Sequence, residues 1–134
     1  MRYATARSRN RPAAERRMER TMMTADLAIE TSQALHESRI SVTGRLAIES
    51  SPQLRALLMK AIKKGRGDLL VLDMSGLVYI DTSGVATLLE AAHAACAQGV
   101  RIRVLGLSGE PRMLAQIAEI DRIFLACGSE IELS

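Results

Sequence analysis

Four apolar residues in a row, Leu69-Leu70-Val71-Leu72, constrain this chain's fold more than any other feature. A strand with one wet face alternates apolar and polar residues, whereas an unbroken run suits a strand covered on both faces, as in parallel sheets. A Met74-Ser75-Gly76-Leu77 turn and a short Val78-Tyr79-Ile80 segment are expected to follow. Beyond them Val85, Leu88, Leu89, Ala92 and Ala95-Cys96 recur at three and four residues, which specifies a helix that Gly99 terminates. Residues 101–105 (RIRVL) read as another strand, and Pro111 opens a further helix with Met113, Leu114, Ile117 and Ala118 inward. Phe124 and Leu125 are expected to anchor its far end, and residues 131–133 to close the chain as an edge strand.

Upstream, residues 26–33 and 38–43 alternate as two strands joined by the short link 34–37, which predicts a hairpin broken by Gly44. Ser51-Pro52 starts a helix, since a serine hydroxyl can cap free N–H groups and proline suits the first turn. Leu54, Leu57, Leu58, Ala61 and Ile62 form its apolar stripe, Lys63 and Lys64 suit its negative end, and Gly65 or Gly67 stops it. Strands alternating with helices after residue 45 imply a mainly parallel sheet with crossover helices; the leading hairpin makes it mixed. The fold class is therefore α/β.

The 134 residues suffice for one domain. Aromatic residues are confined to Tyr3, Tyr79 and Phe124, so the core must be aliphatic and base stacking on an aromatic platform is excluded as a mode of nucleic-acid binding. The formal charge of +3 is unevenly placed: residues 1–25 carry +5 from seven arginines and two glutamates, which leaves the remainder mildly acidic. Residues 1–25 are expected to be a basic, disordered leader, with Met18, Met22 and Met23 as further candidate starts, and residues 26–134 the folded domain. A basic tail of this kind can touch nucleic acid or an anionic membrane, but it shows no apolar stripe of its own. No run approaches the roughly 18 apolar residues of a membrane span, and no secretory leader is evident. Cys96 and Cys127 are expected to be reduced core residues, and the cytoplasm is the default location.

The chemically distinctive stretch is YIDTSGVATLL at 79–89, where Asp81, Thr82, Ser83 and Gly84 sit between strand and helix. A catalytic hydroxyl needs a base, and the two histidines are badly placed: His93 lies eleven residues beyond Thr82, roughly 15 Å along the helix, and His36 lies in the hairpin link. No zinc-ligand spacing occurs, and GLSGEP at 106–111 lacks the lysine and hydroxyl of a phosphate loop. The sequence thus points away from an enzyme and calls for no cofactor or metal. Two readings of the junction stay open. One of Asp81, Thr82 or Ser83 is simply the helix cap, or a hydroxyl there accepts a phosphate, which the free N–H groups of a helix start tolerate.

From residue 26 to 134 the chain resembles STAS domains, most closely the bacterial anti-sigma factor antagonists. The resemblance lies in VTGRL (42–46), LLVLDMSGLVYIDTSGVATLL (69–89) and GVRIRVLGLSG (99–109). It implies a mixed four- to five-stranded sheet with helices mainly on one side, and a non-enzymatic domain. Such a domain binds an anti-sigma serine/threonine kinase and is released when phosphorylated, with a phosphatase to reset it. By position in the motif, Thr82 is the phosphoacceptor and Ser83 the runner-up. The implied partner surface comprises Arg45, Ala47, Asp81, Thr82, Ser83, Gly84, Val85 and Ala86. No direct nucleic-acid binding is implied, and a homodimer is compatible with the resemblance. Where many antagonists have acidic residues after this glycine, the chain has Arg45 and Ala47. An alternative role is therefore that of a cytoplasmic STAS subunit that binds the ATPase of a lipid-transporting ABC system.

Overall fold

The computed structural model describes residues 18–23, 26–65 and 68–133. Six strands form one sheet in the order β1-β2-β3-β4-β5-β6: β1 (Met18–Met23), β2 (Leu27–Ala34), β3 (Glu37–Leu46), β4 (Leu69–Ile80), β5 (Arg101–Leu105) and β6 (Glu130–Ile131). The first three are antiparallel, and β3 through β6 are parallel. Helices α1 (Ser51–Lys64), α2 (Thr82–Gln98), α3 (Gly109–Ile117) and α4 (Ile120–Ala126) fill the connections between the parallel strands. Helices pack mainly on one side of the sheet, as expected, and the sheet has six strands where four or five were implied.

The added strand comes from the N-terminal stretch. Met18–Met23 pairs along β2, with Met18 opposite Gln33 and Met23 opposite Ala28, so it is ordered structure where a leader was expected. Residues 1–17, with six of the seven leader arginines, lie outside the described residues.

Alternation sets the packing. Leu27 and Ile29 of β2, Ile40 and Val42 of β3, and Leu70 and Leu72 of β4 are buried against Leu54, Leu58 and Ile62 of α1 and Leu88, Ala92 and Ala95 of α2. Small alanines let α2 lie close to the sheet. The run 69–72 has cover on its second face too: Val71 is 4% exposed, and the register sets Arg39 and Arg103 on either side of it. Long arginine stems can shield apolar surface in this way while their charges stay wet.

Two expected interruptions and one expected continuous helix prove different. Gly44 does not end β3, which runs on to Leu46. Its φ of 107° and the close approach of the Asp26 carbonyl let the strand pass the start of β2, where no side chain would fit. Residues 74–77 are not a turn, because β4 continues to Ile80. Its pairing with β3 shifts twice, between Ser41 and Thr43 and between Gly44 and Arg45, and each shift accommodates one extra residue on β4. The last helix is two helices, since Glu119 takes a left-handed conformation (φ 54°) between α3 and α4. That break alters the phase: Met113, Ile117 and Ala118 face solvent, while Pro111 and Ala115 are buried. Phe124 is buried as expected, and Leu125 is exposed. Cys96 is likewise exposed rather than in the core, and Cys127 is half-buried.

Candidate functional site

The junction between β4 and α2 is built around one carboxylate. Asp81 is the N-cap of α2, with extended backbone, and its Oδ1 accepts from the Gly84 N–H at 3.1 Å and from the Ser83 hydroxyl at 2.6 Å. Its other oxygen accepts from the Ile48 N–H at 3.1 Å, which ties the β3–α1 connection to the start of α2. Burial alone would push the Asp81 carboxyl up. The donors from Ser83, Gly84 and Ile48 outweigh that and hold it below the ordinary carboxylate range, so it is a stable anion. The cap is thus Asp81, and neither hydroxyl serves as one.

The two hydroxyls differ. Ser83 is half-buried, donates to Asp81, and lies 3.1 Å from the Ser51 hydroxyl on α1. Thr82 is exposed, and its hydroxyl has no hydrogen-bond partner among the described residues. A third hydroxyl, Thr87, is buried and donates to the Ser83 carbonyl at 2.9 Å. Gly84 is required by packing: a Cβ there would sit 2.5 Å from Ile80 and 3.0 Å from Leu46.

The remaining expected surface residues divide. Ala86 is exposed on the first turn, and Ala47 is half-buried in the adjacent connection. Arg45 is exposed and lies 4.0 Å over the Tyr79 ring, a cation–π contact between paired residues of β3 and β4. Val85 and Gly84, expected on that surface, are both buried and hold α2 to the core. Helical phase explains this, because the first turn of α2 can expose only the side that carries Thr82 and Ala86.

Sequence reasoning missed Ile48, Ser50 and Ser51. Ile48 is 68% exposed beside the junction, an apolar side chain on a loop whose amide Asp81 holds. Ser50, rather than Ser51, is the N-cap position of α1. Its hydroxyl donates to the Arg45 carbonyl at 2.9 Å and accepts from the Ala47 N–H at 3.0 Å, which pins the loop. Ser51 is turned toward Ser83 instead. The doubled serine before Pro52 was the available signal. One turn further along, Arg55 forms a two-pronged bridge to Glu90 at 2.8 and 2.6 Å, so α1 and α2 are joined by polar contacts at two successive levels.

His36 sits at the tip of the β2–β3 hairpin, 3.5 Å from Asp68, and His93 is exposed midway along α2. Neither contacts the hydroxyls. Among the described residues no three metal-ligating side chains converge, and no helix is long and apolar enough to cross a membrane.

A mixed sheet with helices mainly on one side and a capped hydroxyl pair after the central strand defines a STAS-fold protein. The family model described as Mlab, STAS domain matches residues 29–126, and the chain belongs to that family. Solved structures agree on the fold. An anti-sigma factor antagonist from Mycobacterium paratuberculosis superposes with a TM-score of 0.62 at 16% identity, over 75% of this chain and 86% of that one. The antagonist SpoIIAA in its unphosphorylated form gives 0.59 at 19% identity, over 86% and 88%. A murine anion transporter, Slc26a9, matches with 0.62 at 17% identity, over 88% of this chain and 21% of its own. No curated protein sequence matches the chain.

Proposed function

We propose that this protein is a partner-switching regulator, an anti-sigma factor antagonist that binds an anti-sigma serine/threonine kinase and is released by phosphorylation at Thr82. The reading rests above all on the contrast between the hydroxyls: Thr82 is exposed and unpaired at the head of a 17-residue helix, while Ser83 is engaged by Asp81 and Ser51. A phosphate on Thr82 would meet the positive end of α2 and leave the cap intact. On Ser83 it would displace two contacts and lie against the Asp81 carboxylate. Added charge of about −1.5 to −2 at pH 7 then opposes a partner surface that had accepted Ile48 and Ala86. The antagonists among the structural relatives support this role. One of them, SpoIIAA, has also been solved in a phosphorylated form. A kinase that uses ATP places the exchange in the cytoplasm, and a phosphatase restores the binding form.

The test begins with capture of the partner from a host lysate, identification by mass spectrometry, and calorimetry. Thr82→Asp is expected to lose binding with the fold intact, and Thr82→Ala to bind constitutively. Equal affinities for the two variants would reject the switch. Phosphosite mapping after incubation with the captured kinase is expected to find Thr82.

A second reading has its own support. Arg45 and Ala47 stand where antagonists commonly carry acidic side chains, and the STAS fold also occurs inside a transporter. As an accessory subunit of a lipid-transporting ABC system, the protein would use the same face to hold an ATPase. Capture of an ABC ATPase, with binding unchanged in Thr82→Asp, would establish that role instead.

A further inference from the structure

At the opposite end of the sheet, a groove of about 70 Å3 opens between the C-terminal half of α1 and the β2–β3 hairpin. Its walls break the rule that built the core. Leu27 and Ile29 of β2 point inward, and the same phase continues to Thr31 and Gln33; on β3, Val42 and Ile40 point inward, and the phase continues to Ser38. Core-side positions are therefore occupied by a hydroxyl, an amide and a second hydroxyl. Gln33 and Ser38 are directly paired across the hairpin, and Thr31 is paired with Ile40. None of the three polar side chains has a hydrogen-bond partner among the described residues.

Opposite them stand Leu57, Lys60, Ala61 and Lys64 of α1. Lys60 and Lys64 are one turn apart on the same side of the helix, and neither has a carboxylate partner among the described residues. No acidic residue lines the groove. Arg39, at its edge, is already paired with Asp73 at 3.3 Å. The lining thus combines an aliphatic floor (Ile40, Leu57, Ala61), three free hydrogen-bonding groups and two unneutralised ammonium groups.

We infer that this groove binds a small organic anion, a carboxylate on a short aliphatic stem. Lys60 and Lys64 take the carboxylate, Thr31, Gln33 and Ser38 supply hydrogen bonds, and the stem covers Ile40, Leu57 and Ala61. Size sets the class. The volume is about half that of an engineered cavity of roughly 150 Å3 that takes up benzene, so the groove encloses only part of a short stem and the carboxylate stays at its open rim beside the lysines. The site does not depend on the role of Thr82.

The test is a titration of the full-length, 15N-labelled protein with hexanoate, with acetate and hexanol as controls. Hexanoate is expected to shift the amides of Thr31, Gln33, Ser38 and Ala61 along a saturating curve. Acetate lacks the stem and hexanol lacks the charge, so each is expected to bind at least about tenfold more weakly. The double variant Lys60→Gln, Lys64→Gln is expected to raise the hexanoate Kd about tenfold at an unchanged melting temperature. Hexanol binding as well as hexanoate, or the double variant binding like wild type, would overturn the inference. So would a groove that responds only to a triglutamate peptide or to phosphatidylglycerol vesicles.

Discussion

Two strand-to-helix junctions lie at the C-terminal ends of parallel neighbours, β4 and β5, and they are held by opposite means. The first is fixed by a side chain: Asp81 caps α2 and reaches across to Ile48. The second is fixed by the lack of one. Gly106 has φ of 82°, and a Cβ there would come within 2.8 Å of Ser75 backbone atoms, while Ser108 at the N-cap of α3 makes no side-chain cap bond. A junction held by a glycine fixes where the helix starts through backbone geometry alone. A junction held by a carboxylate with donors from two elements is also a place where charge is felt.

The sharpest way to break this comparison is Gly106→Ala. Backbone strain and overpacking combine there, so a loss of about 3 kcal/mol in urea denaturation is expected; a loss below about 1 kcal/mol would mean that the loop can simply move. Asp81→Ala comes next, at about 2 kcal/mol, one part for the cap and one for the unpaired Ile48 amide. Ser108→Ala should stay within about 0.5 kcal/mol by the same measurement, and similar losses at Asp81 and Ser108 would erase the distinction.

A pH series sharpens it further. The folded Asp81 carboxyl lies below its ordinary value, so its contribution is fully present above the unfolded value of about 3.9 and disappears as pH falls through the lower folded one. Wild type is therefore expected to lose stability relative to Asp81→Asn on acidification below about pH 4, with the two curves running parallel above about pH 5. Parallel curves throughout would remove Asp81 as the anchor. The smallest effect belongs to Thr82→Ala, which breaks no bond among the described residues and should change stability by less than about 0.5 kcal/mol.

Where burial is two-sided, the sequence was readable. The run 69–72, the alanine-rich α2 and the position of the DTSG motif after the central strand all follow from apolar pattern and the motif itself. Legibility failed where pairing overrides local signals. Gly44 and Gly76 look like breakers, yet both sit inside strands, Gly44 because Asp26 crowds it and Gly76 because Thr43 does. In α3 the apolar residues Met113 and Ile117 suggest an inward stripe, but the left-handed Glu119 ends the helix after nine residues and the phase is set by Pro111 and Ala115. The strand at Met18–Met23 was hidden by the arginines that precede it. At the site, the exposed Thr82 and capping Asp81 were within reach of sequence reasoning. The contacts of Ser51 and Ile48 were not, because they join segments more than thirty residues apart.

The bond from the Ile48 amide to Asp81 gives the molecule a built-in reporter. That N–H donates to a carboxylate 33 residues away in sequence, one that also accepts from the Ser83 hydroxyl. Any event that tugs on the hydroxyl pair therefore registers as a moved, faster-exchanging resonance on a different loop, legible in a spectrum before any binding partner is in hand.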